Sequence, residues 1–268
     1  MAKKNPNHQR LRLSPAGTVA SGLSLFPIPG LPEIRAREDL AACVVEAARK
    51  AKLHFEDGDV LVIAQKIVSK SEGAVVQLAD VKPSQKARSI ARRMKKDPRA
   101  VEVVLKESRR IVRSNRVLIA ETRHGFVCAN AGVDHSNVPG EDVVTLLPRS
   151  PDRSAKNLAD ALRKRTGKRI AVVISDTFGR PWRLGLTDVA IGAAGVPVLL
   201  DLRGTRDRHG KPLTATILAV ADELASAAGL LMGKSEGTPA VLIRGYRYKG
   251  VLEPASRIIR PATEDLFR

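Results

Sequence analysis

Apolar and polar positions first fall into a readable order at Ser24. From Ser24 to Ile34 an apolar run is interrupted by Pro27, Pro29, Gly30 and Pro32, the pattern of an edge strand running into a rigid loop. Glu38 to Lys52 then sets Leu40, Cys43, Val44, Ala47 and Ala48 at helical spacing, which makes Cys43 a core residue. Asp57-Gly58 turns the chain into a Val- and Ile-rich strand over Asp59–Ile63, and that strand delivers it to Gln65–Gly73. Ser84 has the character of an N-cap for a helix with Ala87, Ile90, Ala91 and Met94 on one face. A second helix begins after Asp97-Pro98 and directs Val101, Val104, Leu105, Ser108, Ile111 and Val112 inward.

Val117–Glu121 and Phe126–Ala129 make a hairpin, followed by a polar loop without period over Asn130–Asn137. Ala155, Leu158, Ala159 and Leu162 mark a helix ending near Gly167, after which Arg169–Ile174 is a buried-type strand running into the polar segment Ser175–Arg183. Leu218–Met232 is a helix and Ala240–Ile243 a strand. Helices and strands alternate irregularly and nothing repeats, so the pattern predicts a mixed α/β (α+β) fold. Residues 23–245 form its body; 1–22 are a flexible basic arm and 246–268 an ill-defined tail.

The composition, with 43% hydrophobic and 28% charged residues in 268, is that of an ordinary globular chain. No apolar run approaches the roughly 18 residues of a membrane span. Met1–Arg12 lacks the apolar core of a secretory signal, and two cysteines are too few for a disulfide framework, so the cytoplasm is the expected compartment. The net charge of +18 calls for anionic partners. Aromatic residues make up only 3%, which disfavours base stacking on single-stranded nucleic acid. Lys86, Arg88, Arg92, Arg93, Lys95, Lys96, Arg109, Arg110 and Arg113 line the outer faces of the two helices between Ser84 and Arg113, either as a solvated surface or as one that binds a polyanion.

Chemistry-bearing motifs narrow the choice. Gly229 to Ser235 resembles a phosphate-binding P-loop, but its glycines are four apart where that loop needs five. Neither a dinucleotide-binding glycine motif nor a zinc or serine-hydrolase motif occurs, so P-loop and Rossmann folds are excluded. What remains is two acidic loops, each following an apolar strand with a carboxylate at its carboxyl end, then hydroxyls, amides and glycines. Asp134 and Asp176 suit a hard divalent cation, Thr177 adds an oxygen, and Lys66, Lys70, Arg180 and Arg183 are cations suited to a transferring phosphoryl group. The residues by themselves fit metal-assisted phosphoryl transfer, with a metal-dependent phosphatase or nucleotidase and a basic nucleic-acid-binding protein as alternatives. His124 and His135 read as structural or exposed, Phe178 and Trp182 as packing residues, and Cys128 as buried and inert.

Six segments in order, LPEI at Leu31–Ile34, DGDVLVIAQKIVSKSEG at Asp57–Gly73, CANAGVDHSN at Cys128–Asn137, SDTFGRPWR at Ser175–Arg183, VADELASAAGLLMGK at Val220–Lys234 and PAVLIRG at Pro239–Gly245, resemble the coenzyme F420-0:L-glutamate ligase (F420 gamma-glutamyl ligase) family. The resemblance implies a family-specific α/β fold, an intertwined homodimer, and a GTP-dependent ligase that joins L-glutamate to the lactyl carboxylate of coenzyme F420-0. GDP and phosphate would leave, and further γ-linked glutamates would follow. It also implies two divalent cations, Mn²⁺ or Mg²⁺, bound by Asp134, Asp176 and Thr177. Leu31, Pro32, Glu33, Ile34, Gln65, Lys66, Lys70, Asn137 and the turn Gly233, Lys234, Ser235, Glu236 and Gly237 would line the GTP site, with Lys66 and Lys70 acting beside Asp134 and Asp176 in catalysis. Lys234 stands where relatives often carry Gln or Glu, a departure at one possible metal or nucleotide contact.

Overall fold

The structure is a computed structural model and describes residues 22–137, 140, 142–233, 237–248 and 251–265. The arm up to residue 21 and the candidates Lys234, Ser235 and Glu236 lie outside the described residues.

In chain order, β1 (Ser24–Pro27) leads through the proline loop to α1 (Leu40–Lys50), β2 (Val60–Ala64) and α2 (Gln65–Ser71). A smaller lobe follows, with β3 (Val75–Gln77), α3 (Gln85–Met94), α4 (Pro98–Glu107), β4 (Ser108–Asn115), β5 (Val117–Thr122), β6 (Val127–Ala129) and β7 (Val143–Thr145). The chain then returns to the main body as α5 (Pro151–Thr166), β8 (Ala171–Arg180) and β9 (Arg183–Ala194). The short strands β10 (Leu200–Asp201) and β11 (Ile217–Leu218) precede α6 (Val220–Met232) and β12 (Ala240–Arg244).

The main sheet has the order β1-β12-β2-β8-β9, with β2 and β8 parallel and the other neighbours antiparallel. Its central strands read VLVIA and AVVIS because both faces are covered. Leu61, Ile63, Val172, Ile174 and Leu242 point to a core shared with α1 and α5, while Val60, Val62, Val173, Val241 and Ile243 point to a second core under α6. This alternation makes the body a three-layer sandwich. A third core, built on Ala87, Ile90, Val101, Val104, Leu118 and Val144, holds the smaller lobe together.

Local signals set the helix ends. Asp39, Ser84 and Asp97 accept hydrogen bonds from the backbone N–H groups of Ala42, Ala87 and Arg99, and Gly167 ends α5 in the left-handed region at φ 71°. The first turn of α5 lies flush on β9, where a Cβ at Gly192 would come within 2.5 Å of the Pro151 carbonyl oxygen. Directly beside it, the β8–β9 register shifts between Ile174 and Ser175, because Ile174 pairs with Gly192 and Ser175 with Ala190. Ile191 is thus the extra residue of a β-bulge.

Three expectations change. The second helix of the lobe stops at Glu107, and Ser108–Asn115 is a strand paired with β5. Ile111 and Val112 suit either period, and pairing with β5 decides between them; Val112 is 37% exposed rather than inward. The segment after Ile174 is not a loop, for β8 continues to Arg180 and pairs throughout with β9. The carboxyl-terminal segment carries 3₁₀ turns at Ala255–Ile258 and Ala262–Glu264. Ala255 is fully buried there, its N–H donating to Asp152 Oδ1 at 2.7 Å.

One buried ion pair ties the start of β2 to the end of β12. Asp59, 1% exposed, accepts both Arg244 Nε at 2.9 Å and Arg244 Nη2 at 2.8 Å. Asp59→Ala should cost about 3 kcal/mol in urea unfolding, the low end for breaking a buried pair because Arg244 still reaches water. A loss below about 1 kcal/mol would remove this pair from the stabilising contacts.

Candidate active site

The β2–β8 ladder ends with Ala64 opposite Ser175. Past that rung β2 becomes α2 without an intervening loop, while β8 stays extended, so Gln65 and Lys66 emerge beside Asp176 and Thr177. Asp134 comes from the smaller lobe. Asn130, Ala131 and Gly132 take φ of 52°, 53° and 75°, three left-handed residues in succession that reverse the chain after β6. At Gly132 a Cβ would also meet Leu147 Cγ at 2.6 Å. The turn releases Asp134 into a bridge with Thr145, each N–H donating to the other's carbonyl at 3.1 and 2.9 Å.

These elements enclose a cavity of about 630 Å³. Its wall includes Leu31, Pro32, Glu33, Ile34, Gln65, Lys66, Lys70, Asp134, Asn137, Asp176, Thr177, Gly233 and Gly237, so every described candidate from the resemblance lies on one surface. Lys66 Nζ donates to Asp134 Oδ2 at 2.6 Å and to the Ser136 carbonyl at 2.8 Å and hydroxyl at 2.7 Å. Lys70, almost fully buried, donates to Glu33. Gln65 accepts from Ser69 Oγ at 2.9 Å, which holds the first turn of α2.

The two aspartates differ electrostatically. Burial raises the Asp134 carboxyl, but hydrogen bonds from Lys66 and Ser136 outweigh it and hold the group below the ordinary range. Asp176 goes the other way. Burial pushes it up to about 6; the Thr177 N–H and Lys66 oppose the rise, and Asp134 and Asp188 add to it. Burial likewise pushes the Cys128 thiol up to about 12, in keeping with an inert thiol.

Arg180 and Arg183 are not brought into the cavity. Because β8 continues, Arg180 stands four residues beyond Asp176, about 13 Å along an extended strand, and it donates to the carbonyls of Leu184 and Gly185 at the hairpin tip. Trp182 is 76% exposed at the hairpin tip. Phe178 packs edge-on against Phe126 at 6.3 Å. His124 bonds the Arg149 carbonyl, away from the acidic groups. Sequence reasoning missed Ser136, Ser175 and above all Asp188, which accepts from Thr177 Oγ1 at 2.5 Å. The available signal was the two-residue alternation after Trp182, which marks a strand returning along Ser175–Arg180.

Among the described residues no three His, Cys, Asp or Glu side chains close into a metal cage by themselves. The donor set nonetheless fits a hard cation, since Mg²⁺ or Mn²⁺ takes oxygen ligands and commonly one or two carboxylates with the rest from phosphates and water. Asp176, a carboxylate raised by burial beside two others, is the kind of group a cation relieves.

With this geometry in place, sequence comparison sets the chain among ligases. It is 46% identical over 254 residues to the coenzyme F420:L-glutamate ligase of Methanothermobacter thermautotrophicus, an alignment covering 92% of this chain and 99% of the relative. The enzyme of the same name from Methanopyrus kandleri is 48% identical over 253 residues, covering 92% and 98%. The model of the F420-0:gamma-glutamyl ligase family matches residues 30–245, and the chain belongs to that family.

A carboxyl raised on folding binds more protons in the folded chain between its ordinary value of 3.8 and about 6, so its contribution to stability falls as pH rises through that window. Asp176→Asn removes the penalty. The variant should be roughly 1–3 kcal/mol more stable than wild type at about pH 7 and level with it near pH 4, by urea unfolding at both. Equal stability at both values would show that Asp176 carries no such load.

Proposed function

We propose that the protein joins L-glutamate to the lactyl carboxylate of coenzyme F420-0 at the expense of GTP. The observation that carries the reading is one cavity with a carboxylate and hydroxyl wall at Asp134, Asp176 and Thr177 and an ammonium wall at Lys66 and Lys70. All three substrates are anionic, and a carboxylate has no leaving group until one is made. Its oxygen attacks the γ-phosphorus, the bond to the β-phosphate oxygen breaks, and GDP leaves an acyl phosphate. The glutamate nitrogen then attacks the carbonyl carbon, the carbon–oxygen bond to phosphate breaks, and inorganic phosphate departs with a proton from the amine. Addition of further γ-linked glutamates repeats the sequence on the new carboxylate.

Lys66 and Lys70 serve as fixed cations for the phosphates. Lys66 reaches them by exchanging its bonds to Asp134 and Ser136 for phosphate oxygens. Leu31–Ile34, Gln65, Asn137, Gly233 and Gly237 hold the nucleotide. Two divalent cations, Mn²⁺ or Mg²⁺, would be held by Asp134, Asp176 and Thr177, and when bound they supply Lewis-acid charge neutralisation at the phosphates. No described helix is long and apolar enough to cross a membrane.

The decisive experiment incubates pure protein with GTP, Mn²⁺, L-glutamate and F420-0 and reads product masses. We expect a glutamate-dependent mass gain matched by GDP, lost with EDTA and reduced at least about 100-fold in Asp134→Asn and Asp176→Asn. Phosphate release without glutamate would instead identify a phosphatase.

A homodimer belongs to the same proposal. Trp182, Leu184 and Leu186 at the β8–β9 tip are 76%, 97% and 67% exposed, an apolar projection that supports pairing with a second copy. Sedimentation should give twice the chain mass for wild type and a shift toward monomer for Leu184→Glu; a monomeric wild type removes the dimer.

A further inference from the structure

The geometry points to Asp188 as a positioning residue that fixes the Thr177 hydroxyl hydrogen, so that the Thr177 oxygen meets the cavity only as an acceptor or a cation ligand. The inference rests on the divalent-cation reading of this cavity. Thr177 and Asp188 are direct partners across the β8–β9 ladder, and Thr177 Oγ1 donates to Asp188 Oδ1 at 2.5 Å. A hydroxyl has one hydrogen and two lone pairs. With the hydrogen committed to a carboxylate, the oxygen is oriented and made more basic, which is what a carboxylate behind a ligand does.

Helix α6 is shaped around this carboxylate. Ser226 Oγ donates to the Asp188 carbonyl at 2.8 Å and fixes its backbone. Three residues on, on the same helical face, stands Gly229, in a helix interior where glycine is disfavoured. A Cβ there would overlap the Asp188 carboxylate oxygen and come within 3.0 Å of its Cγ. The helix thus gives up propensity at the one position where a side chain would push the carboxylate off Thr177.

The test titrates Mn²⁺ against the full chain with GDP saturating and reads bound metal by water-proton relaxation. We expect Thr177→Val and Asp188→Ala each to weaken Mn²⁺ about tenfold, the usual scale for groups behind a ligand. The double variant should be no weaker than either single one. Asp188→Asn, whose amide oxygen still accepts from Thr177, should stay within about threefold of wild type. Gly229→Ala should match Asp188→Ala in Mn²⁺ affinity while keeping the wild-type melting temperature or exceeding it, a split that a merely structural glycine would not show. Additive losses in the double variant, or an Asn as damaging as Ala, overturn the positioning role. So does a weakened Asp176→Asn alongside unchanged Asp188 variants. If Asp134→Asn and Asp176→Asn also leave Mn²⁺ binding untouched, the cation reading fails and takes this inference with it.

Discussion

The parallel pairing of β2 with β8 is the contact on which the rest of the molecule depends. Five rungs, from Val60 opposite Ala171 to Ala64 opposite Ser175, run through strands buried on both faces. Parallel strands require a long crossover, and here the crossover includes the whole smaller lobe and α5. The lobe is therefore a necessary part of the path, and Asp134 is the group it brings back to the strand ends. Beyond the last rung one strand coils into α2 and the other does not, and that divergence opens the cavity. Ligand sites in open α/β sheets commonly form outside the carboxyl ends of strands, for the same geometric reason.

Much of this organisation is legible in the residue order because its causes are local. Asp39, Ser84 and Asp97 each cap a helix within three residues of their own position, and Gly167 ends one by its own φ. Runs such as VLVIA announce burial on both faces. Legibility fails where partners are distant. Ser108–Asn115 continues the apolar spacing of α4, and only pairing with β5 makes it a strand. Asp176 is readable as a carboxylate after an apolar run, yet its place in mid-strand depends on β9, and Asp188 acquires meaning only once Thr177 stands opposite. The left-handed turn at Asn130–Gly132 is hidden too, since Asn and Ala announce it weakly.

The net charge of +18 takes a different aspect once placed. Several of its carriers are engaged in the smaller lobe, where Arg110 meets Glu121 and Arg99 meets Asp97 and Asp142. Arg109, Arg110 and Arg113 stand on a strand rather than on the helical face expected of them. The cavity itself sets two lysines, Lys66 and Lys70, against four carboxylates, Glu33, Asp134, Asp176 and Asp188. Under the proposed reaction the excess charge would act as a field at distance, drawing anionic substrates toward a centre lined by carboxylates.

The bulge at Ile191 carries an evolutionary consequence. Successive strand residues face opposite ways, so the count of residues between the bulge and Asp188 decides both which group stands opposite Thr177 and which side it faces. Losing one residue there would set a neighbour opposite Thr177 and turn the Asp188 carboxylate away, without any substitution at the cavity. The tip from Arg180 to Arg183 is under no such count. Lineages of this chain should therefore tolerate length changes at the hairpin's end and reject them near its root.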